Sequence, residues 1–123
     1  AERLSRAGAA LDMAAAAPWR VEKADAAAWV ANRFSAPPAA GGVRVLVHTI
    51  VWQYLPEATR AAITASIDSA GQSATLESPV AWLRMEADGK ETAAVRLKSW
   101  PNGADREIAR ADFHGRFVEW QAR

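Results

Sequence analysis

One run, Val43 to Trp52, constrains this chain more than any other. Its valines at 43, 45, 47 and 51 share one parity, while Leu46, His48, Ile50 and Trp52 share the other. Successive side chains of a strand point to opposite faces, so a strand here is apolar on both sides. Such strands are characteristically central and parallel, with helices over each face. The segment that follows, Gln53-Tyr54-Leu55-Pro56, supplies a turn, and Pro56 suits the first turn of a helix because its missing N–H costs nothing there. Ile63, Ile67 and Ala70 then fall on one side of that helix, and Gly71 is placed to stop it. The unit is strand, short loop, helix. In open α/β sheets the ligand crevice lies outside the carboxyl ends of the parallel strands, so the loop after this strand is the first place to look for function.

From Pro79 onward the pattern changes to extended segments parted by turn residues. Val80–Glu86 is followed by Asp88-Gly89, Ala94–Trp100 by Pro101-Asn102-Gly103, and Glu107–Ala111 by His114-Gly115, ahead of Phe117–Trp120. This spacing predicts an antiparallel meander. Upstream, Leu4, Ala7, Leu11 and Ala14 fall at helical spacing over residues 2–16, and Pro18 is expected to close that helix. Trp19–Glu22 reads as a short extended segment. Asp25 can cap a second helix carrying Trp29, Val30 and Phe34 on one face, which ends before Pro37. Ser35–Gly42, rich in proline, glycine and alanine, is a connector. The expected fold is α/β: a mixed sheet with a central parallel strand and helical crossover, then a C-terminal antiparallel meander, with helices packed on the sheet.

Composition limits what such a fold can do. At 123 residues, 30 of them alanine, the chain has apolar bulk for one core, so residues 1–123 are read as a single domain. Cysteine is absent, which removes disulfides and thiolate chemistry, and two histidines are too few for a structural zinc site. No metal site is expected. A net charge of +1, with twelve arginines scattered among acidic neighbours, gives no basic patch, so nucleic acid is not an expected partner. The longest apolar run, Val45–Trp52, is far short of the roughly 20 residues a membrane helix needs. Glu2, Arg3, Arg6 and Asp12 likewise break up the alanine-rich start, which reads as helix and not as a signal peptide. No membrane contact is expected, and the location is read as cytoplasmic.

The candidate site residues cluster where the parallel strand ends. His48 offers an imidazole for general-base work or hydrogen bonding, although among Leu46, Ile50 and Trp52 the plainer reading is a buried histidine satisfied by a neighbour. Trp52, Gln53 and Tyr54 offer an aromatic wall, an amide and a phenol, a set suited to a planar or polar small molecule. Equally, Trp52 and Tyr54 could plug the core while Gln53 ties down the turn. Trp82, Trp100 and Trp120 could form a stacking platform, but tryptophans in strands mostly pack. Glu86 and Asp88 flank a hairpin and need no catalytic explanation, and His114-Gly115 reads as a turn. Neither a Gly-x-Ser-x-Gly elbow nor a phosphate loop is present.

Four segments carry a resemblance: His48-Thr49-Ile50-Val51-Trp52-Gln53-Tyr54-Leu55-Pro56, Pro79-Val80-Ala81-Trp82-Leu83-Arg84-Met85-Glu86, Arg96-Leu97-Lys98-Ser99-Trp100-Pro101-Asn102-Gly103, and His114-Gly115-Arg116-Phe117-Val118-Glu119-Trp120. In this order they resemble the bacterial domain-of-unknown-function family 2332 over most of residues 43–120. The resemblance implies that the chain corresponds to the C-terminal portion of a longer protein, and it carries no activity. The element order is also similar to the C-terminal half of S-adenosylmethionine-dependent methyltransferases. That likeness implies cofactor binding at a Gly-rich turn in a preceding segment, since Gly41-Gly42 here precedes a strand and does not follow one. Likeness of fold does not establish function. The expected role is therefore part of a small-molecule cleft, lined by His48, Trp52, Gln53 and Tyr54, in a larger methyltransferase-like α/β protein. The alternative is a non-catalytic interaction or assembly module, whose sheet edge or tryptophan face mates with a preceding N-terminal segment or a second copy in a homo-oligomer.

Overall fold

A computed structural model describes residues 2–17 and 21–121. Helix α1 (Glu2–Ala16) comes first, then α2 (Ala26–Arg33), strand β1 (Arg44–Thr49), a 3-10 turn over Trp52–Tyr54, and α3 (Glu57–Gln72). Four strands complete the chain: β2 (Val80–Glu86), β3 (Ala93–Trp100), β4 (Ala104–Ala111) and β5 (Val118–Trp120). They form one five-stranded sheet in sequence order, with β1 parallel to β2 and every later pair antiparallel. The fold is thus α/β with a mixed sheet, a helical crossover and a C-terminal meander, as the sequence pattern predicts. Pro18, where α1 was expected to close, and Trp19 and Arg20 of the expected extended segment lie outside the described residues.

Register assigns the two faces. Leu46 lies opposite Trp82, Trp82 opposite Lys98, and Val80 opposite Trp100, which puts these side chains on one face. Helices α2 and α3 cover that face. The core there joins Val30 and Phe34 of the α2 region, Ile63 and Ile67 of α3, and Leu46, Val80, Trp82 and Trp100 of the sheet. Asp25 caps α2 by accepting from the Ala28 N–H at 2.9 Å, and the next turn delivers Val30 into the core. Lys98 of β3 reaches Asp68 of α3 at 2.7 Å and lies 4.7 Å over the Trp100 ring, so a charge pair and a cation–π contact reinforce the same helix–sheet seam.

Three expectations change on contact with the structure. First, β1 is the edge strand, not a central one, and among the described residues helices cover only one of its faces. Val43, Val45 and Val47 are 60%, 44% and 56% exposed, whereas Leu46 is buried. Among the described residues no helix lies over the apolar second face of β1, so double apolarity reflects two faces of different fate. Second, the strand stops at Thr49 because Ile50 turns into positive φ, at 49°. Third, Gly71 does not stop α3 but lies within its last turn, where an added Cβ would run into the Trp100 indole. That glycine makes room for a ring. Of the three tryptophans assigned to packing, Trp82 and Trp100 are buried, while Trp120 is 72% exposed on the short last strand.

Candidate functional site

The carboxyl ends of β1 and β2, a parallel pair, carry the densest set of specific contacts. His48 is the penultimate residue of β1, opposite Arg84, and Glu86 ends β2 two residues further on the same face. The Nδ1 atom of His48 lies 2.6 Å from Glu86 Oε1, and the Trp82 indole Nε1–H donates to His48 Nε2 at 2.9 Å. An indole N–H can only donate, so Nε2 must accept. The neutral ring therefore carries its proton on Nδ1 and donates it to the carboxylate. Both ring nitrogens are engaged, and the His48 side chain is only 12% exposed. His48 as placed is a wall and not a free general base, because its basic lone pair already accepts the hydrogen bond from the Trp82 indole.

Glu86 organises the turn as well. Its Oε1 accepts from the Val51 N–H and its Oε2 from the Trp52 N–H, each at 3.2 Å. These amides open the 3-10 turn, whose N-terminal residue Val51 has no side-chain cap of its own. The preceding Ile50 holds φ at 49°, a β-branched residue in a region that usually costs on the order of 1–3 kcal/mol. Its N–H is fixed by the Met85 carbonyl at 2.9 Å. A carboxylate after the bend and a backbone bond at it together hold the strained residue in place.

The bend aims Trp52 at His48. Their rings stack with centroids 5.1 Å apart and 13° between planes, and Trp52 meets Trp82 edge-on at 5.4 Å and 63°. In front of this aromatic set lies a groove of about 260 Å³, bounded by α2, β1 and the 3-10 turn. Val30, Leu46, Leu55 and Ile63 form its floor, with Val51 beside the wall. At the rim, Glu22 accepts from the Trp29 indole at 2.8 Å and from Arg33 at 2.6 Å. Those two donors hold the Glu22 carboxyl below the usual carboxylate range. A second hollow of about 380 Å³, between the end of α2 and α3, is lined by Ser66, Ser69 and Ser73 and lacks a comparable aromatic wall.

The structure brings two of the four expected residues to the groove. His48 and Trp52 line it; Gln53 is exposed and Tyr54 is 73% exposed, both outside the lining. Glu86, set aside in the sequence as part of a charged turn, is the residue that joins the others. The available signal was its parity: with Trp82 and Arg84 it shares the face that holds His48. Asp88 serves a different purpose, pairing with Arg110 through contacts of 2.7 and 3.0 Å. Among the described residues no group of three or more His, Cys, Asp or Glu is placed to hold a metal ion, and no helix is long and apolar enough to cross a membrane.

Fold and site together define an open mixed-sheet α/β domain with an aromatic groove at the carboxyl end of its parallel strand pair. The family model for uncharacterized proteins conserved in bacteria, DUF2332, matches residues 1–120, and the chain belongs to that family. The match extends upstream of residues 43–120, where the motifs lie, to include α1 and α2. Searches of curated proteins and of solved structures return no match.

Proposed function

We propose that the groove between α2 and the end of β1 binds a small planar molecule, as part of a larger methyltransferase-like α/β protein. The observation that carries this reading is the stacked His48–Trp52 wall facing an apolar groove beyond the carboxyl end of a parallel strand. At about 260 Å³ the groove falls below the range of whole ligand pockets, about 300 to 1,000 Å³, so it suits one ring system and not a whole extended cofactor. Strain stored at Ile50 favours the same assignment, because residues in sparsely populated backbone regions cluster at ligand clamps and active sites. In this reading His48 and Trp52 supply the stacking surface, Glu86 fixes both, and Gln53 and Tyr54 are candidates only for contacts at the outer rim. S-adenosylmethionine is the first ligand to try, with its adenine as the planar group.

The test is a calorimetric titration of S-adenosylmethionine, and separately of adenosine, into this chain and into the longest natural form that contains it, each beside its Trp52→Ala variant. Saturable heat that disappears in Trp52→Ala, while the thermal midpoint stays within a few degrees, supports the proposal. Absence of heat with both ligands removes adenosine chemistry from the groove. A Trp52→Ala protein that loses its cooperative melt assigns Trp52 to the core.

A further inference from the structure

The hollow between the end of α2 and α3 measures about 380 Å³, within the range of about 300 to 1,000 Å³ that ligand pockets occupy. Arg44 and Val80, the first residues of β1 and β2, border it, so it lies at the amino ends of the parallel pair, away from the groove. Phe34 closes one side with an apolar ring. Ser66 and Ser69 of α3 and Ser73 at its C-cap line the other; three and four positions apart, they share one side of the helix. Small side chains at Ala31 and Ala65 leave the space between the two helices unfilled.

Arg44 is the one charged side chain in this lining among the described residues. Its guanidinium lies 5.9 Å from the centre of the Phe34 ring, and its Nη1 donates to the Ala36 carbonyl. A guanidinium has five N–H donors, and the others of Arg44 have no partner among the described residues yet remain open to solvent. Arg33, Arg84, Arg96 and Arg110 each pair with a carboxylate, whereas Arg44 pairs with none among those residues. The Ser66 hydroxyl donates to the Ala62 carbonyl, while those of Ser69 and Ser73 make no hydrogen bond among the described residues. Nearby carbonyls do not compete for the free donors: that of Asn32 accepts from the Ser35 N–H and hydroxyl, and those of Ala70 and Gly71 from the Ser73 and Ala74 N–H groups.

We infer that this hollow binds a small hydroxylated monocarboxylate, with its carboxylate on Arg44 and its hydroxyls on Ser69 and Ser73. The planar fork of a guanidinium matches a carboxylate through two parallel hydrogen bonds. Stacking on Phe34 orients that fork before any ligand arrives. One cation balances one negative charge, whereas a phosphate monoester carries nearly two and the lining offers no second cation among the described residues. A serine hydroxyl both donates and accepts, so the α3 side of the hollow suits ligand hydroxyls. The C-terminal ends of α2 and α3 bring partial negative charge to the same place, so an anion is held there only through Arg44. The hollow and the groove share no lining residue, and the inference does not rest on what the groove binds.

The test follows nitrogen–proton correlation spectra of the whole chain during separate titrations with D-glycerate, D-gluconate, glycerol and inorganic phosphate. The expected result is a saturable shift of the Arg44 Nε–H and of the Ser69 and Ser73 amides with at least one of the two hydroxy acids, and with neither glycerol nor phosphate. Arg44→Gln should weaken that binding about ten- to a hundredfold, the worth of hydrogen bonds to a charged group. Because Arg44 also fastens the connector at Ala36, a second variant keeps the test open: Ser69→Ala combined with Ser73→Ala, at two exposed positions, should leave the thermal midpoint unchanged and weaken binding about two- to tenfold. No saturable shift with either acid at about 50 mM, well above a millimolar dissociation constant, would overturn the inference. So would phosphate or glycerol saturating the same resonances as tightly, or full affinity in the double-serine variant.

Discussion

Replacing Glu86 by alanine tests whether one carboxylate assembles the site. Three donors lose their acceptor: the Val51 and Trp52 amides at 3.2 Å and the His48 Nδ1–H at 2.6 Å. Hydrogen bonds to a charged group contribute about 1.5–3 kcal/mol each, which for three gives a gross loss of roughly 4–9 kcal/mol. Two effects reduce it. The Glu86 side chain is 15% exposed, so water can enter and pair with some of the freed donors. The turn can also relax and return the strain held at Ile50, on the order of 1–3 kcal/mol. The net expectation is a destabilisation of about 2–4 kcal/mol, or a fall in thermal midpoint of roughly 10 °C for a domain of this size.

Calorimetry and urea unfolding of Glu86→Ala measure that loss, and an Ile50→Gly background tests its origin. Glycine adopts positive φ freely, so relaxation of residue 50 should return little in that background, and Glu86→Ala should cost more there than alone. A Glu86→Ala protein within about 0.5 kcal/mol of the parent would mean that the turn holds itself, and the reasoning would fail.

The imidazole tautomer is directly observable: nitrogen–proton correlation spectra should show the neutral His48 ring protonated at Nδ1, with Nε2 as an acceptor, and a ring protonated at Nε2 would contradict the Trp82 bond. Trp82→Phe removes that donor and should destabilise by about 1–3 kcal/mol in urea unfolding, with His48 becoming accessible to imidazole-directed modification. Gly71→Ala drives a methyl into the Trp100 indole, and a loss of about 1–3 kcal/mol in the same assay is expected, where a surface alanine in a helix would stabilise. Acid should weaken the meander first. Asp88, bonded to Arg110, and Asp105, where burial acts to raise the carboxyl but contacts from Arg84 and Arg96 outweigh it, both titrate below the usual range in the fold. A depressed folded value stabilises at pH above the unfolded value near 4 and is lost as pH falls toward the folded value, so midpoints should fall below about pH 4 and less steeply in Asp105→Asn.

The fold was legible because period-two alternation and turn residues leave clear marks. The hairpin boundaries at Asp88-Gly89 and Pro101-Asn102-Gly103, and the Asp25 cap, required only local chemistry. Strand order was not legible in the same way. Val43–Val51 carries two apolar faces whether the second is covered by a helix of the same chain or lies bare, and nothing local distinguishes the two. Gly71 misled for a related reason: a glycine near a helix end reads as a stop, while its actual requirement comes from Trp100, far along the chain in the sheet. The site was half legible. His48 and Trp52 stood out by type and place, but Glu86 acts through the register between β1 and β2, which sets it past the end of its neighbour and beneath the backbone of residues 51 and 52.

That same register accounts for why the groove has the shape it does. Were β1 to run straight on to Trp52, as its parity invites, Val51 would join the bare face and Trp52 would lie flat along the sheet on the covered side. The reversal at Ile50 instead puts Val51 and Trp52 together on the groove, with the indole stacked on His48. A strained isoleucine is tolerable only where something stronger holds the following residues, and Glu86 is the group in position to do so. Its carboxylate binds the amides after the bend and the imidazole before it, so strain, turn and aromatic wall stand or fall as one unit. Loss of the wall in Glu86→Ala, read as loss of the His48 Nδ1–H resonance together with loss of any ligand heat that Trp52 supports, would tie the backbone outlier to binding. Retention of that heat in a relaxed turn would make the strain incidental to it.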